Sequence, residues 1–225
     1  MRSHRSKKLL AYFVVPVVFC LLGYFLLWVA LLPVWSMAST YFSFLVSDHA
    51  PNFNTELTQL YDPNAIKSDA DVIPGSEVEF PSSGSQYGQI TCDAIGLDAP
   101  VYWYDTEDIL AYGVGQSLVS LLPGFGRVII LSGHNTTFFA CLQDAAVGNV
   151  INFHTNYCDY QYTVTNVQVY NETELETLLL QKAKDQREEL IMYTCYPFHA
   201  ITGRKTDRLV VFANRTAGKD VDWVE

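Results

Sequence analysis

From Leu9 to Val34 the chain reads LLAYFVVPVVFCLLGYFLLWVALLPV, without one charged side chain. A helix needs about 20 apolar residues to cross the hydrocarbon of a bilayer, so this run predicts a membrane anchor over residues 9–35. Trp28 and Trp35 fall toward its outer end, where amphipathic rings favour the interface. Arg2, Arg5, Lys7 and Lys8 precede the run, and no acid occurs before Asp48. That asymmetry predicts the N-terminus inside and everything after the anchor outside. Ser36-Met37-Ala38-Ser39 raises the alternative of a cleaved signal peptide. An apolar signal core spans only about 7–15 residues, so an uncleaved single-pass anchor is the expectation. The organisation that follows is a cytoplasmic tip (1–8), the anchor (9–35), an extracellular stalk (36–75), a folded domain (76–215) and a C-terminal tail (216–225). The stalk is rich in Asn, Asp, Ser, Pro and Thr, with a helical tendency near Glu56–Tyr61. The chain ends in DVDWVE, with no second hydrophobic span.

Outside the tip, ten basic residues face 24 acidic ones. A nucleic-acid binder shows the reverse balance, so no nucleic-acid partner is expected. Aromatic residues make up 14% and charged residues 17%, which suits a packed core and excludes wholesale disorder. Of five cysteines, Cys20 lies in the anchor, while Cys92, Cys141, Cys158 and Cys195 are scattered rather than arrayed as a disulfide framework.

Beyond Ser76 the pattern turns to short β-like runs between turn residues. The candidates are Glu77–Phe80, Tyr87–Ile95, Pro100–Tyr104, Arg127–Ser132, Val150–Phe153, Gln161–Tyr170, Leu190–Thr194 and Leu209–Ala213. Thr137–Ala145 reads as a short helix. Glu172–Lys184 reads as a longer one, with Leu175, Leu178 and Leu179 at helical spacing and Thr173 with Glu176 as a capping box. Many short strands and few helices predict an all-β barrel or sandwich.

Three polar residues stand at the ends of apolar runs. Cys195 follows Leu190–Thr194 and precedes Tyr196-Pro197, where proline ends a ladder. His134 follows Val128–Leu131 and Ser132-Gly133, and Gly133 leaves the backbone room to turn. Arg208 opens Leu209–Phe212. Taken singly, each is more simply structural. Together they supply a thiol, an imidazole that can activate it and a cation, at strand ends that a barrel would bring to one rim.

The residues around them are similar to those of a known family. The stretch from Ala111 to Phe139, containing LSGHNTTFF, resembles the sortase region leading into its histidine. Thr194-Cys195-Tyr196-Pro197-Phe198 resembles the family's TC motif, and Arg208 stands thirteen residues later in the family's His, Cys, Arg order. The resemblance runs from about Glu77 to Asn214 and is strongest to class D. Class C enzymes carry an Asp-Pro-aromatic lid and a C-terminal span. Here Asp62-Pro63 precedes Asn64, which departs from that pattern. Some class A members bind calcium through carboxylates before the histidine, whereas Ile109 to Gly133 contains no acid, so no metal or other cofactor is expected.

The resemblance implies an eight-stranded β-barrel with short helices behind the anchor. It implies a surface cysteine transpeptidase, grouped with peptidases among the hydrolases, in a Gram-positive cell. Its partners would be secreted proteins with a C-terminal sorting signal like Leu-Pro-x-Thr-Gly or an Ala-ending variant. The acceptor would be an amine of a peptidoglycan precursor or a pilin. Cys195 would form the thioacyl intermediate and His134 would move protons. Arg208 would bind the oxyanion or clamp the substrate backbone, and Thr194 would line the pocket. Two rivals use the same chain differently. One is a catalytically silent membrane-tethered barrel that only binds. The other is a structural zinc module in which His154, Cys158, Cys195 and His199 supply Cys2His2 ligands.

Overall fold

The computed structural model describes residues 17–25, 57–198 and 205–222. Residues 17–25 are helical and exposed. Among the described residues no helix is long and apolar enough to cross a membrane. The tip at 1–8 and most of the anchor at 9–35 lie outside the described residues.

Eight strands close into a barrel: β3 (Ser85–Cys92), β4 (Leu97–Trp103), β5 (Val114–Gln116), β6 (Ile129–Ser132), β9 (Glu189–Tyr196), β10 (Asp207–Ala217), β8 (Asp159–Asn171) and β7 (Val150–Thr155), with β7 pairing back onto β3. This bears out the expected eight-stranded barrel. The β4–β5 and β6–β9 pairs are parallel and the others antiparallel. Along β8 the burial alternates, with Tyr160, Tyr162 and Val164 inward and Asp159 and Gln161 outward, as a strand with one wet face requires.

Strands β6, β9 and β10 break that alternation because both of their faces are covered. Ile129, Leu131, Leu190, Met192, Leu209 and Val211 point into the barrel core. Their neighbours Val128, Ile130, Ile191, Val210 and Phe212 form a second cluster outside it. A helix over Glu172–Lys182 covers that second cluster through Leu175, Leu178 and Leu179. We call it α2, after α1 at Glu107–Leu110. This two-sided burial is why VIIL, LIMY and LVVF read as continuous apolar runs.

Several expected elements differ. The cap of α2 is Asn171 with Glu174: the Asn171 side chain accepts from the Thr173 amide at 3.2 Å, and Glu174 accepts from the Asn171 amide at 3.4 Å. Glu77–Phe80 is not a strand. Pro74 and Pro81 flank it and restrict the ladder, and Gly75–Glu77 forms a 3-10 turn instead. The helix expected at Thr137–Ala145 is a 3-10 segment over Ala140–Asp144. Strand β5 has no clear strand pattern in the sequence because Gly113 and Gly115 dilute it. A Cβ at Gly115 would lie 2.6 Å from the Asp105 Cα, so glycine is what lets that loop lie on the strand. Residues assigned to a stalk also join the fold, because β1 (Thr58–Gln59) pairs with β3, in place of the helix expected near Glu56–Tyr61. Similarly, β2 (Val72–Pro74) pairs with β11 (Asp220–Asp222), in what reads as a tail.

Candidate active site

The outer faces of β6, β9 and β10 converge at the ends of those strands. Cys195 on β9 is directly opposite Arg208 on β10 in the antiparallel register. Directly opposed residues share a face, with Cβ atoms about 4.5–5.5 Å apart. By the same alternation Cys195 lies on the face of Tyr193 and Ile191, and Arg208 on that of Val210 and Phe212. The pair therefore sits on the outside of the barrel, where the second apolar cluster ends, and both residues are half-buried.

His134 arrives from β6, whose last pairing is Ser132 with Tyr193. The chain then turns through Gly133. A Cβ there would come within 2.9 Å of the Phe139 ring, so the tight approach of that ring needs glycine. The His134 carbonyl accepts from the Thr137 and Phe139 amides at 3.3 and 3.1 Å, which closes the turn. Two side-chain hydrogen bonds tie this turn to the cysteine strand. Thr194 Oγ1 donates to the Gly133 carbonyl at 2.7 Å, and Asn135 Nδ2 donates to the Cys195 carbonyl at 2.7 Å. The residues on either side of His134 are thus bonded to Cys195 and its neighbour. His134, Cys195 and Arg208, each isolated in the sequence, come together at one strand-end cluster.

Thr194 lies inside rather than on the open face. It is 2% exposed, and its hydroxyl is used by Gly133.

The guanidinium of Arg208 is held from below. Nη1 donates to the carbonyls of Lys205 at 2.7 Å and Asp207 at 2.9 Å, and Nη2 lies 3.2 Å from Glu172 Oε2, at the first residue of α2. Burial, and next the charge of Asp105, push the Tyr193 hydroxyl above its ordinary value. The phenol therefore stays neutral on the Cys195 face. Burial also raises the Asp105 carboxyl. Asn135, Glu172, Tyr193 and Asp105 escaped sequence reading. Only Asn135 had a signal, its place beside His134.

The zinc alternative fails on distance. Cys158 stands next to Asp159 at the start of β8, whereas Cys195 is level with Arg208 and Tyr170. Eleven residues of strand separate Asp159 from Tyr170, roughly 36 Å, so Cys158 and Cys195 cannot share a tetrahedral zinc. The fourth ligand of that scheme, His199, lies outside the described residues. The Asp62-Pro63 segment is bound at the same remote end, where the Asp62 amide donates to Asn156 Oδ1 at 2.8 Å.

Known proteins share this arrangement of strands. The structure of Clostridium perfringens sortase C with the C-terminal cell wall sorting motif is 29% identical, with a TM-score of 0.52 over 60% of this chain and 73% of that one. A Clostridium perfringens sortase D5 transpeptidase shares the fold at 21% identity, with a TM-score of 0.54 over 63% of this chain and 86% of its own. Sortase D of Bacillus subtilis (strain 168) is 27% identical over 135 residues, which span 60% of this chain and 66% of that protein. The family model described as the sortase domain matches residues 90–216, which run from β3 through β10 and include all three strand-end residues. With more than half of the chain matched, and with the barrel closed in the order described, the chain belongs to the sortase family.

Proposed function

We propose that this chain is a cell-surface cysteine transpeptidase. The observation that carries the reading is the direct opposition of Cys195 and Arg208, with both neighbours of His134 bonded to the cysteine strand. The Cys195 thiolate attacks the carbonyl of the threonine in a Leu-Pro-x-Thr-Gly-like signal. The tetrahedral oxyanion develops on the face that Arg208 shares, where a guanidinium donor stabilises it most. His134 gives its proton to the departing amine and leaves a thioacyl enzyme. The incoming amine then loses a proton to His134 as it attacks, and the thiolate is released. Water in place of the amine turns the same cycle into hydrolysis.

Thr194 serves in this reading by holding Gly133, not by touching substrate, because its hydroxyl faces inward. The acceptor is an amine of the cell wall or of another surface protein. The uncharged run at 9–35 supports single-pass anchoring with the domain outside a Gram-positive cell. Similarity to sortase D favours class D.

The test incubates the full chain with a panel of sorting peptides and with diaminopimelate or glycine amines, and reads product mass. Amide product from the parent and none from Cys195→Ala is the expected result. An equally active Ala variant would remove Cys195 from the mechanism. No product on any peptide would favour the silent binding module.

A further inference from the structure

Strand β6 accompanies β9 only as far as Ser132 beside Tyr193. On its other side β9 continues along β10 to Tyr196 beside Asp207. Cys195 therefore lies two positions past the end of the β6 ladder. Backbone groups at such a place need partners from elsewhere, because an unmet carbonyl near the interior costs about as much as a lost hydrogen bond.

A side chain supplies that partner. Asn135 is 8% exposed, and its carboxamide nitrogen donates to the Cys195 carbonyl at 2.7 Å and to the Pro197 carbonyl at 3.4 Å. Its carboxamide oxygen accepts from Lys205 Nζ at 3.4 Å. One buried amide thus joins the turn that displays His134, the strand end that displays Cys195 and the segment leading into Arg208. It occupies the place where the next rung of β6 would be.

We infer that Asn135 is a positioning residue, which fixes Cys195 against His134 by substituting for the missing strand. This rests on the transpeptidase reading above. Asn135 touches no reacting atom. It acts through the Cys195 backbone, whose carbonyl carbon is bonded to the same Cα that carries the thiol. A misplacement of about 1 Å in a reacting pair can cost on the order of 100-fold in rate. A single such bond is a small share of a domain's folding energy. The effect on chemistry should therefore exceed the effect on stability.

The test compares the full-length parent with Asn135→Leu, which keeps the shape and removes the amide, and with Asn135→Gln, which keeps the amide. Three quantities are read: kcat and KM on the best peptide from the panel, melting temperature, and the rate of Cys195 alkylation by iodoacetamide across the pH range where thiol and imidazole titrate. Alkylation is followed by mass on the Cys195 peptide. With Leu we expect kcat to fall about 10- to 100-fold with KM little changed, and the alkylation profile to shift along the pH axis. Gln should restore most of both. The inference is overturned if the Leu variant keeps the parent's kcat and alkylation profile. It is equally overturned if kcat falls only in proportion to the unfolded fraction. If the parent turns over no peptide, the transpeptidase reading fails separately, and the alkylation profile still decides whether Asn135 sets the environment of Cys195.

Discussion

The strands β6, β9 and β10 end in two unlike ways. At one end, just before β9, Glu188 is buried and fully engaged. Its carboxylate accepts from the Tyr162 hydroxyl at 2.6 Å, from the Gly124 and Gly126 amides at 3.1 and 3.2 Å, and from Arg215 Nη1 at 3.2 Å. Arg215 is completed by Asp220 on β11. At the other end, about 20 Å away along β9, Cys195, His134 and Arg208 are half-buried; the bonds at Cys195 and His134 go to their backbones and neighbours, while the Arg208 guanidinium is held from one side by the Lys205 and Asp207 carbonyls and Glu172. A buried charge is tolerable only when its lone pairs are all met. A reacting group must keep lone pairs and protons to spare. The same three strands thus carry a closed polar cluster that holds the fold and an open one that is available for chemistry.

Substitutions at the two ends should separate activity from stability. His134→Ala should lower kcat on a sorting peptide by about 10²- to 10⁴-fold, the usual share of a general acid–base group, with the melting temperature nearly unchanged. A large loss of stability would show that His134 belongs to the scaffold.

Glu188→Ala should do the opposite. It leaves the Tyr162 hydroxyl and two amides without their acceptor and Arg215 with Asp220 alone, and should cost about 3 kcal/mol in urea unfolding while the folded fraction keeps its kcat. The pH dependence is a second check. Burial raises the Glu188 carboxyl above its ordinary value, although Tyr162, Arg215 and the Gly126 and Gly124 amides pull it down. The folded state therefore holds this proton where the unfolded state has lost it. The part of the stability linked to that proton is complete below the ordinary value of 4.5 and is lost as pH rises through the folded value. Glu188→Gln should flatten that slope.

Arg208→Lys tests the open end more gently. Lysine keeps the charge but cannot span the Lys205 and Asp207 carbonyls and Glu172 with one planar fork. We expect roughly a tenfold loss of kcat and little change in stability. An unchanged kcat would mean that charge alone is needed there.

The contrast between the two ends also explains what could be read from the sequence. His134, Cys195 and Arg208 were legible because each interrupts an apolar run, and those runs are continuous because α2 covers their outer face. Glu188 was not legible. It looks like one more acid in Asp185-Gln-Arg-Glu-Glu, and only the closing of the barrel brings Tyr162 and Arg215 to it. Thr194 was legible as a β-former, but its inward direction depends on register with Leu209, which no single strand reveals. The pairings of β1 and β2 were hidden for a related reason. Strands of two and three residues have no period to detect, and their partners, β3 and β11, are distant in sequence.

The smallest expected effect lies at a third cluster, on the surface turn between β7 and β8. Asp159 is bonded by Lys67 and by His154 Nδ1, the latter at 2.6 Å, and its side chain is 50% exposed. Burial alone would raise its carboxyl, but the hydrogen bonds and charges of Lys67 and His154 outweigh it and hold the group below the ordinary value of 3.8. Its contribution is therefore present above that value and is lost as pH falls through the folded one. Exposed pairs of this kind contribute at most about 1 kcal/mol and are screened by salt. Asp159→Asn should shift the urea midpoint slightly at neutral pH, and the gap to the parent should close in acid or in high salt. Peptide turnover should stay at the parent's level, because this turn is some eleven strand residues from Tyr170 and the Arg208 beside it. A loss of turnover in Asp159→Asn would show that the surface turn and the open end are coupled, and would end the division between a scaffold end and a reactive one.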